Sequence, residues 1–192
     1  FRRVLFRSLS KQVKEKQCFM IDAPVVKSKP AAIAGELGIY VGGDKQAFER
    51  AKGILSCMCK NIIYMGENGT GLVMKICHNM LVSQIQNGVN ETVTLAGKSG
   101  LNFDDVITAI SYGGGQNFYL DGKKNAIKNH DFTTAFSVEN MNKDINIAVS
   151  LAQELKIDLP GAKNAQKVYS KAMAAGYAKE DFSATIKVME EK

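Results

Sequence analysis

Lys75 and Asn79 stand four residues apart, directly downstream of the run Gly66-Glu67-Asn68-Gly69-Thr70-Gly71. Four residues are about one helical turn, so an ammonium and an amide share one helix face. The glycines permit a tight turn with close backbone approach, and Gly71 leaves the surface one turn before Lys75 without a side chain. Such a pair can give a proton to, or take one from, a bound hydroxyl. A lysine amine is ordinarily a proton donor at neutral pH, and partial burial brings it toward general acid–base use. The asparagine can hydrogen-bond the same oxygen or hold the lysine tail. An exposed helix lysine beside an asparagine has the same spacing, and spacing alone does not separate the two.

Other chemistries fit less well. A phosphate-cradling Walker loop needs lysine directly after its last glycine, where Leu72 stands. A dinucleotide fingerprint reads G-x-G-x-x-G after a strand, whereas the order here is G-x-x-G-x-G. His78 lies beside Cys77 without further ligands and reads as an ordinary helix residue. With only His78 and His130, and with Cys18, Cys57, Cys59 and Cys77 in no CxxC spacing, no metal site is expected. The cysteines read as reduced thiols of a cytoplasmic protein.

The elements that must position the lysine follow from periodicity. Residues 10–17 look like the polar end of a helix, and 18–25 like a buried strand stopping near Pro24. Ser28, Lys29 and Pro30 read as loop. Strands are expected at 38–43 and 61–65, separated by a helix capped by Asp44 and reaching about Cys57. After Gly71 comes a helix of some 25 residues with Val73, Ile76, Met80, Leu81, Ile85, Val89 and Val93 as its apolar stripe. Further helices are expected at 103–111, 137–156, 162–175 and 182–190. Met141, Ile145, Ala148, Leu151, Ala152 and Leu155 mark the buried face of the second of these. The fold class is therefore an α/β part followed by an all-α domain entered through a long helix.

Composition narrows the partners. A chain of 192 residues with 45% hydrophobic content can bury a sizeable core. No apolar run approaches the roughly 18 residues of a membrane span. Half of the +6 net charge comes from Arg2, Arg3 and Arg7. Those arginines lie in Phe-Arg-Arg-Val-Leu-Phe-Arg-Ser, residues 1–8, which resembles a translated sequencing adapter and is set aside. The remaining charge gives no reason to expect nucleic acid.

Gly66-x-x-Gly69-x-Gly71-x-x-x-Lys75-x-x-x-Asn79 is similar to the catalytic signature of the β-hydroxyacid dehydrogenases, the family of 3-hydroxyisobutyrate dehydrogenase and tartronate semialdehyde reductase. Asp22-Ala23-Pro24-Val25 resembles the start of its substrate loop, and residues 35–43 its following strand. Lys143-Asp144, with Phe136 seven residues earlier, resembles its late cofactor and substrate elements. The resemblance implies hydride transfer between NAD or NADP and a small hydroxy acid or its semialdehyde. It makes Lys75 the catalytic lysine and Asn79 a substrate ligand. Lys143, Phe136 and Asp144 fall near the nicotinamide end of the cofactor. Val26, Lys27, Ser28 and Gly71 would line the substrate. The family continues its loop with Ser-Gly where Val26-Lys27 stand here, so Lys27 or Ser28 is expected to meet the acid group.

The resemblance also implies that residues 9–65 are the C-terminal part of a Rossmann NAD(P)-binding domain and residues 66–192 the helical domain. On that reading the glycine fingerprint lies upstream, the fragment itself is inactive, its sheet exposes an edge and an apolar face, and the complete protein is a homo-oligomer. Rival readings are a non-catalytic binding module, which retention of Lys75 and Asn79 opposes, and an imine-type reductase, whose members generally lack this lysine. The helical domain looks too short for a 6-phosphogluconate dehydrogenase.

Overall fold

The computed structural model of the protein describes residues 2–190, with side chains from residue 8 onward. Of the adapter-like residues 1–8, Phe1 falls outside that description and residues 2–8 lie in the first helix. The chain divides into two compact units, Phe1–His78 and Asn79–Lys192.

The first unit opens with helix α1 (Arg2–Glu15). Two short strands follow, β1 (Ile21–Asp22) and β2 (Val25–Val26). Then come a short helix α2 (Lys29–Ile33), strand β3 (Leu37–Gly43), helix α3 (Lys45–Leu55) and strand β4 (Cys59–Gly66). β3 lies at the centre of the sheet. Its neighbours on one edge are β1 and β2, both antiparallel to it, and on the other β4, parallel to it. The β3–α3–β4 passage is the parallel crossover from which Rossmann-type sheets are built. Asp44 caps α3 by accepting from the Ala47 amide at 2.9 Å. The core beneath the sheet is Ile39, Val41, Phe48 and Cys59, with Tyr64 stacked on Phe48.

Two expectations for this unit need correction. The single buried strand at 18–25 is two short strands, with Cys18 and Phe19 exposed. Proline lacks the N–H that a continuous ladder requires, so the pairing is interrupted at Pro24, whose carbonyl accepts from the Tyr40 amide at 3.1 Å. The loop expected at Ser28-Lys29-Pro30 instead starts α2, because proline in a first helical turn gives up an N–H that has no helical partner there. The expected free edge is present: among the described residues β4 pairs with β3 alone, and Ile63 is exposed.

Helix α4 (Thr70–Lys98) begins in the first unit and continues into the second. It is followed by α5 (Phe103–Ser111), α6 (Phe118–Lys128), α7 (Val138–Glu154), α8 (Pro160–Ala174), a 3-10 turn (Phe182–Ile186) and α9 (Lys187–Glu190). Periodicity predicts no helix at 118–128. There Asn117 caps α6 through the Leu120 amide, while an exposed Phe118 and the internal Gly122 obscure the buried set Tyr119, Leu120 and Ile127. The expected helix at 182–190 is split between the 3-10 turn and α9. The expected face of α7 is buried as far as Ala152, and Leu155, beyond its last turn, is exposed.

The apolar stripe expected on α4 is also corrected. Of its members Ile76 and Val89 are buried, whereas Leu81 is 57% exposed. The face that is buried carries Asn79, Ser83, Gln86 and Asn90, at alternating steps of four and three. Their amides are matched by partners in the second unit. Gln86 donates to Thr185 Oγ1 and accepts from the Tyr169 hydroxyl, and Asn90 donates to Thr185 at 3.1 Å. A buried polar helix face is sustainable where its groups are hydrogen-bonded, as the three amide nitrogens here are, whereas the buried Asn90 Oδ1 meets no partner among the described residues.

The second unit is also pinned by Asp181, 1% exposed. Its carboxylate pairs with Lys123 Nζ at 2.8 Å and accepts from the Ser183 hydroxyl and from the amides of Ala135 and Phe136. Burial acts to raise its pKa, but the bonds from Lys123 and Ser183 and the Lys123 charge outweigh that and hold it below the usual range. A depressed folded pKa contributes stability that is present above the unfolded value of about 3.9 and lost as pH falls through the lower folded value. Urea titrations of the wild type and Asp181→Asn should therefore differ clearly at pH 7, with the difference shrinking as pH falls through the lowered folded value.

Candidate functional site

The first turn of α4 is set by a side chain from a different element. Asp22, at the end of β1 and 3% exposed, accepts from the Gly69 amide at 2.6 Å and the Leu72 amide at 2.9 Å. A helix start leaves amide protons without intrahelical partners and carries partial positive charge, so a buried carboxylate there is held by charge-assisted hydrogen bonds. Gly69 adopts φ +92°, which only glycine takes at little cost. A Cβ on Gly71 would lie 2.5 Å from the Tyr40 carbonyl oxygen and 2.8 Å from the Asp22 carboxylate. The sequence reading of Gly71 as open space beside the lysine is thus corrected: its missing side chain is used for packing α4 against β3.

Lys75 follows one turn after Gly71 and is half-buried. Its charge acts on His78, whose pKa is lowered first by burial and then by Lys75. The Tyr40 hydroxyl lies 3.1 Å from His78 Nδ1. Asn79, one turn after Lys75, is 5% exposed, and its Nδ2 donates to Asp144 Oδ2 at 2.6 Å. The carboxylate can only accept here, so the Asn79 amide is oriented with its NH2 toward Asp144 and its carbonyl turned the other way. Lys143 Nζ lies 3.2 Å from the other Asp144 oxygen, with its side chain 63% exposed. Asn79 and the neighbouring pair Lys143-Asp144, singled out separately in the sequence, therefore meet through one hydrogen bond and one ion pair.

The remaining sequence-derived residues are distributed differently. Val26 is buried and paired with Gly38, so its side chain is taken up by the sheet and is not presented to a ligand, a correction to its reading as a substrate residue. Lys27 is exposed and adopts φ +71°. Left-handed backbone costs a non-glycine residue about 1–2 kcal/mol. The other non-glycine residues with positive φ, Gln17, His130 and Lys156, follow helix ends, whereas Lys27 follows a strand. Ser28 precedes α2 without capping it through its hydroxyl. Phe136 is half-buried and packs edge-on against Phe182 in the helical core. Sequence reasoning used Asp22 only as a landmark and missed its place at α4. It also missed Tyr40, whose partner is 38 residues away. Among the described residues no group of three or more His, Cys, Asp or Glu side chains could hold a metal ion.

A lysine and an oriented amide on one helix face, with a buried carboxylate behind the amide and an exposed amine beside it, suit the recognition and protonation of a small oxygenated anion. Comparison with known proteins shows the family. The family model for NAD-binding of NADP-dependent 3-hydroxyisobutyrate dehydrogenase matches residues 69–189, and that for the NAD binding domain of 6-phosphogluconate dehydrogenase matches residues 5–66. The chain belongs to the β-hydroxyacid dehydrogenase family. It is 31% identical over 169 residues to glyoxylate/succinic semialdehyde reductase 1 of Arabidopsis thaliana, covering 88% of this chain and 58% of that protein. It is 30% identical over 191 residues to the NAD-dependent L-serine dehydrogenase of Pseudomonas aeruginosa, covering 96% of this chain and 64% of that protein. A solved structure of Mycobacterium tuberculosis 3-hydroxyisobutyrate dehydrogenase with L-serine superposes with a TM-score of 0.88 at 29% identity, covering 96% of this chain and 65% of that one. The chain thus spans about three fifths of the length of the curated relatives it matches.

Two stability measurements test the local geometry. Asp22→Ala should lower unfolding stability by about 2–4 kcal/mol, because two amides at the α4 start lose a charged acceptor. Lys27→Gly should leave stability unchanged or raise it by up to about 1 kcal/mol, the relieved strain being partly offset by a freer unfolded chain. Equilibrium denaturation of the two variants reads both.

Proposed function

We propose that this chain forms part of an NAD(P)-dependent dehydrogenase that interconverts a small β-hydroxy acid and its semialdehyde or oxo form. The observation that carries the reading is Lys75, half-buried one turn before an Asn79 amide oriented by buried Asp144. The names of the relatives support it: their substrates are small acids or aldehydes such as L-serine and succinic semialdehyde. In the reducing direction Lys75 gives its proton to the developing alkoxide, and in oxidation it takes the proton back from the hydroxyl. Its positive charge also stabilises the oxyanion. Asn79 holds the same oxygen, and Lys27 or Ser28 meets the acid group.

The residues present fit the nicotinamide end of a cofactor. Lys143 offers an exposed amine held beside Asp144, and half-buried Phe136 an aromatic surface. When bound, the cofactor supplies or accepts the hydride. We assign residues 9–65 to the nucleotide-binding domain and 66–192 to the helical domain. The complete protein is read as a cytoplasmic homo-oligomer. Four free thiols suit a reducing compartment, and exposed Leu95 and Phe118 suit burial between subunits. Among the described residues no helix is long and apolar enough to cross a membrane.

The test is NAD(P)H consumption by the complete gene product with a panel of semialdehydes, and the reverse reaction with hydroxy acids. Lys75→Ala should lower kcat by about 10²–10⁴-fold. Turnover of no compound in the panel, or full activity in Lys75→Ala, overturns the dehydrogenase reading in favour of a binding module.

A further inference from the structure

We infer that His78, held by the hydroxyl of Tyr40, is a positioning residue for Lys75: a neutral imidazole fixed in one tautomer keeps a second positive charge off the helix face that carries the ammonium. This rests on the reading of Lys75 as the acid–base group.

The geometry is specific. Tyr40 projects from the central strand β3, and His78 lies three residues after Lys75 on α4, a spacing that makes their side chains neighbours. Tyr40 Oη and His78 Nδ1 are 3.1 Å apart, and the two rings lie 6.1 Å apart, tilted by 53°. The Tyr40 hydroxyl meets the ring at Nδ1, and in the proposed arrangement the hydroxyl donates and Nδ1 accepts. Burial pushes the Tyr40 phenol up, so it keeps its proton and can donate. An imidazole accepting at Nδ1 carries its proton on Nε2 and is uncharged. The same β3 backbone that supports Tyr40 packs on Gly71, so the pair and the lysine are referred to one frame.

The electrostatics point the same way. Among the described residues, the titratable groups set against His78 are Tyr40 from β3 and Lys75 from α4; its neighbour Cys77 is exposed, and Asp22 accepts from the amides of Gly69 and Leu72. Burial first, and Lys75 second, disfavour the imidazolium. A proton on His78 would set two like charges one helical turn apart, which repel. A neutral His78 therefore leaves one positive charge on this helix face, and a proton gained at acid pH adds a second beside it.

The chain holds only two histidines, so each can be followed separately. Long-range ¹H–¹⁵N imidazole spectra of the 192-residue chain, recorded from pH 4.5 to 8.5, read tautomer and midpoint for His78 and for the exposed His130. Expected are an Nε2–H tautomer for His78 and a midpoint below that of His130. Lys75→Met should shift the His78 midpoint upward and leave His130 in place, and Tyr40→Phe should remove the tautomer preference. An Nδ1–H tautomer, or a His78 midpoint indifferent to Lys75→Met, overturns the inference. In the complete gene product, kcat/KM should show an acid limb at the His78 midpoint that His78→Gln removes. A limb that persists in His78→Gln overturns the functional part. Failure of the dehydrogenase reading would appear as absent turnover, with the imidazole spectra still reporting the pair.

Discussion

The arrangement depends on one buried carboxylate. Asp22 occupies the place at the start of α4 where a free anion would otherwise be drawn, bonding the amides of Gly69 and Leu72. The same contact explains why the glycine-rich turn is no phosphate cradle. Its donors are satisfied from within the chain, and its space is filled by the Tyr40 carbonyl and the Asp22 side chain. With the helix start fixed in position relative to β1 and β3, the phase of the first turns of α4 within this unit is fixed too. Lys75 and His78 fall one and two turns downstream, and Asn79 follows directly.

A second constraint operates farther along the same helix. Asn79, Ser83, Gln86 and Asn90 form a buried polar face, costly except where its groups are paired, as the three amide nitrogens are. The partners Asp144, Thr185 and Tyr169 come from three later elements, α7, the 3-10 turn and α8. Hydrogen bonds of this kind prescribe direction as well as proximity. They hold the rotation of α4 in the helical unit more strictly than an apolar stripe of similar area could. The Asn79–Asp144 bond at one end of that face is also the contact that aims a site residue.

Much of the architecture was legible in the residues. Asp44 announced α3, and the glycine run followed by a proline-free stretch announced α4. The signature around Lys75 was enough to suggest the family. What was misread has a common cause. Pro24 and Pro30 act on the backbone at single positions, so one divided a strand and the other began a helix. Polar residues at helical spacing on α4 look solvated until their partners are known, and Leu81 looks buried until the packing is known. Helix α6 escaped because its cap and buried residues are interrupted by Gly122 and preceded by an exposed phenylalanine.

By itself the sequence determined which chemistry is available: an amine and an amide one helical turn apart, four thiols outside any ligand spacing, and a chain long enough to bury a core. Those properties depend on residue type and local periodicity. Only the tertiary structure decided that Asp22 belongs to α4, that Asp144 orients Asn79, and that Tyr40 meets His78. These contacts join residues 47, 65 and 38 positions apart. No local pattern encodes them, because a hydrogen bond across the fold is selected by how whole elements pack.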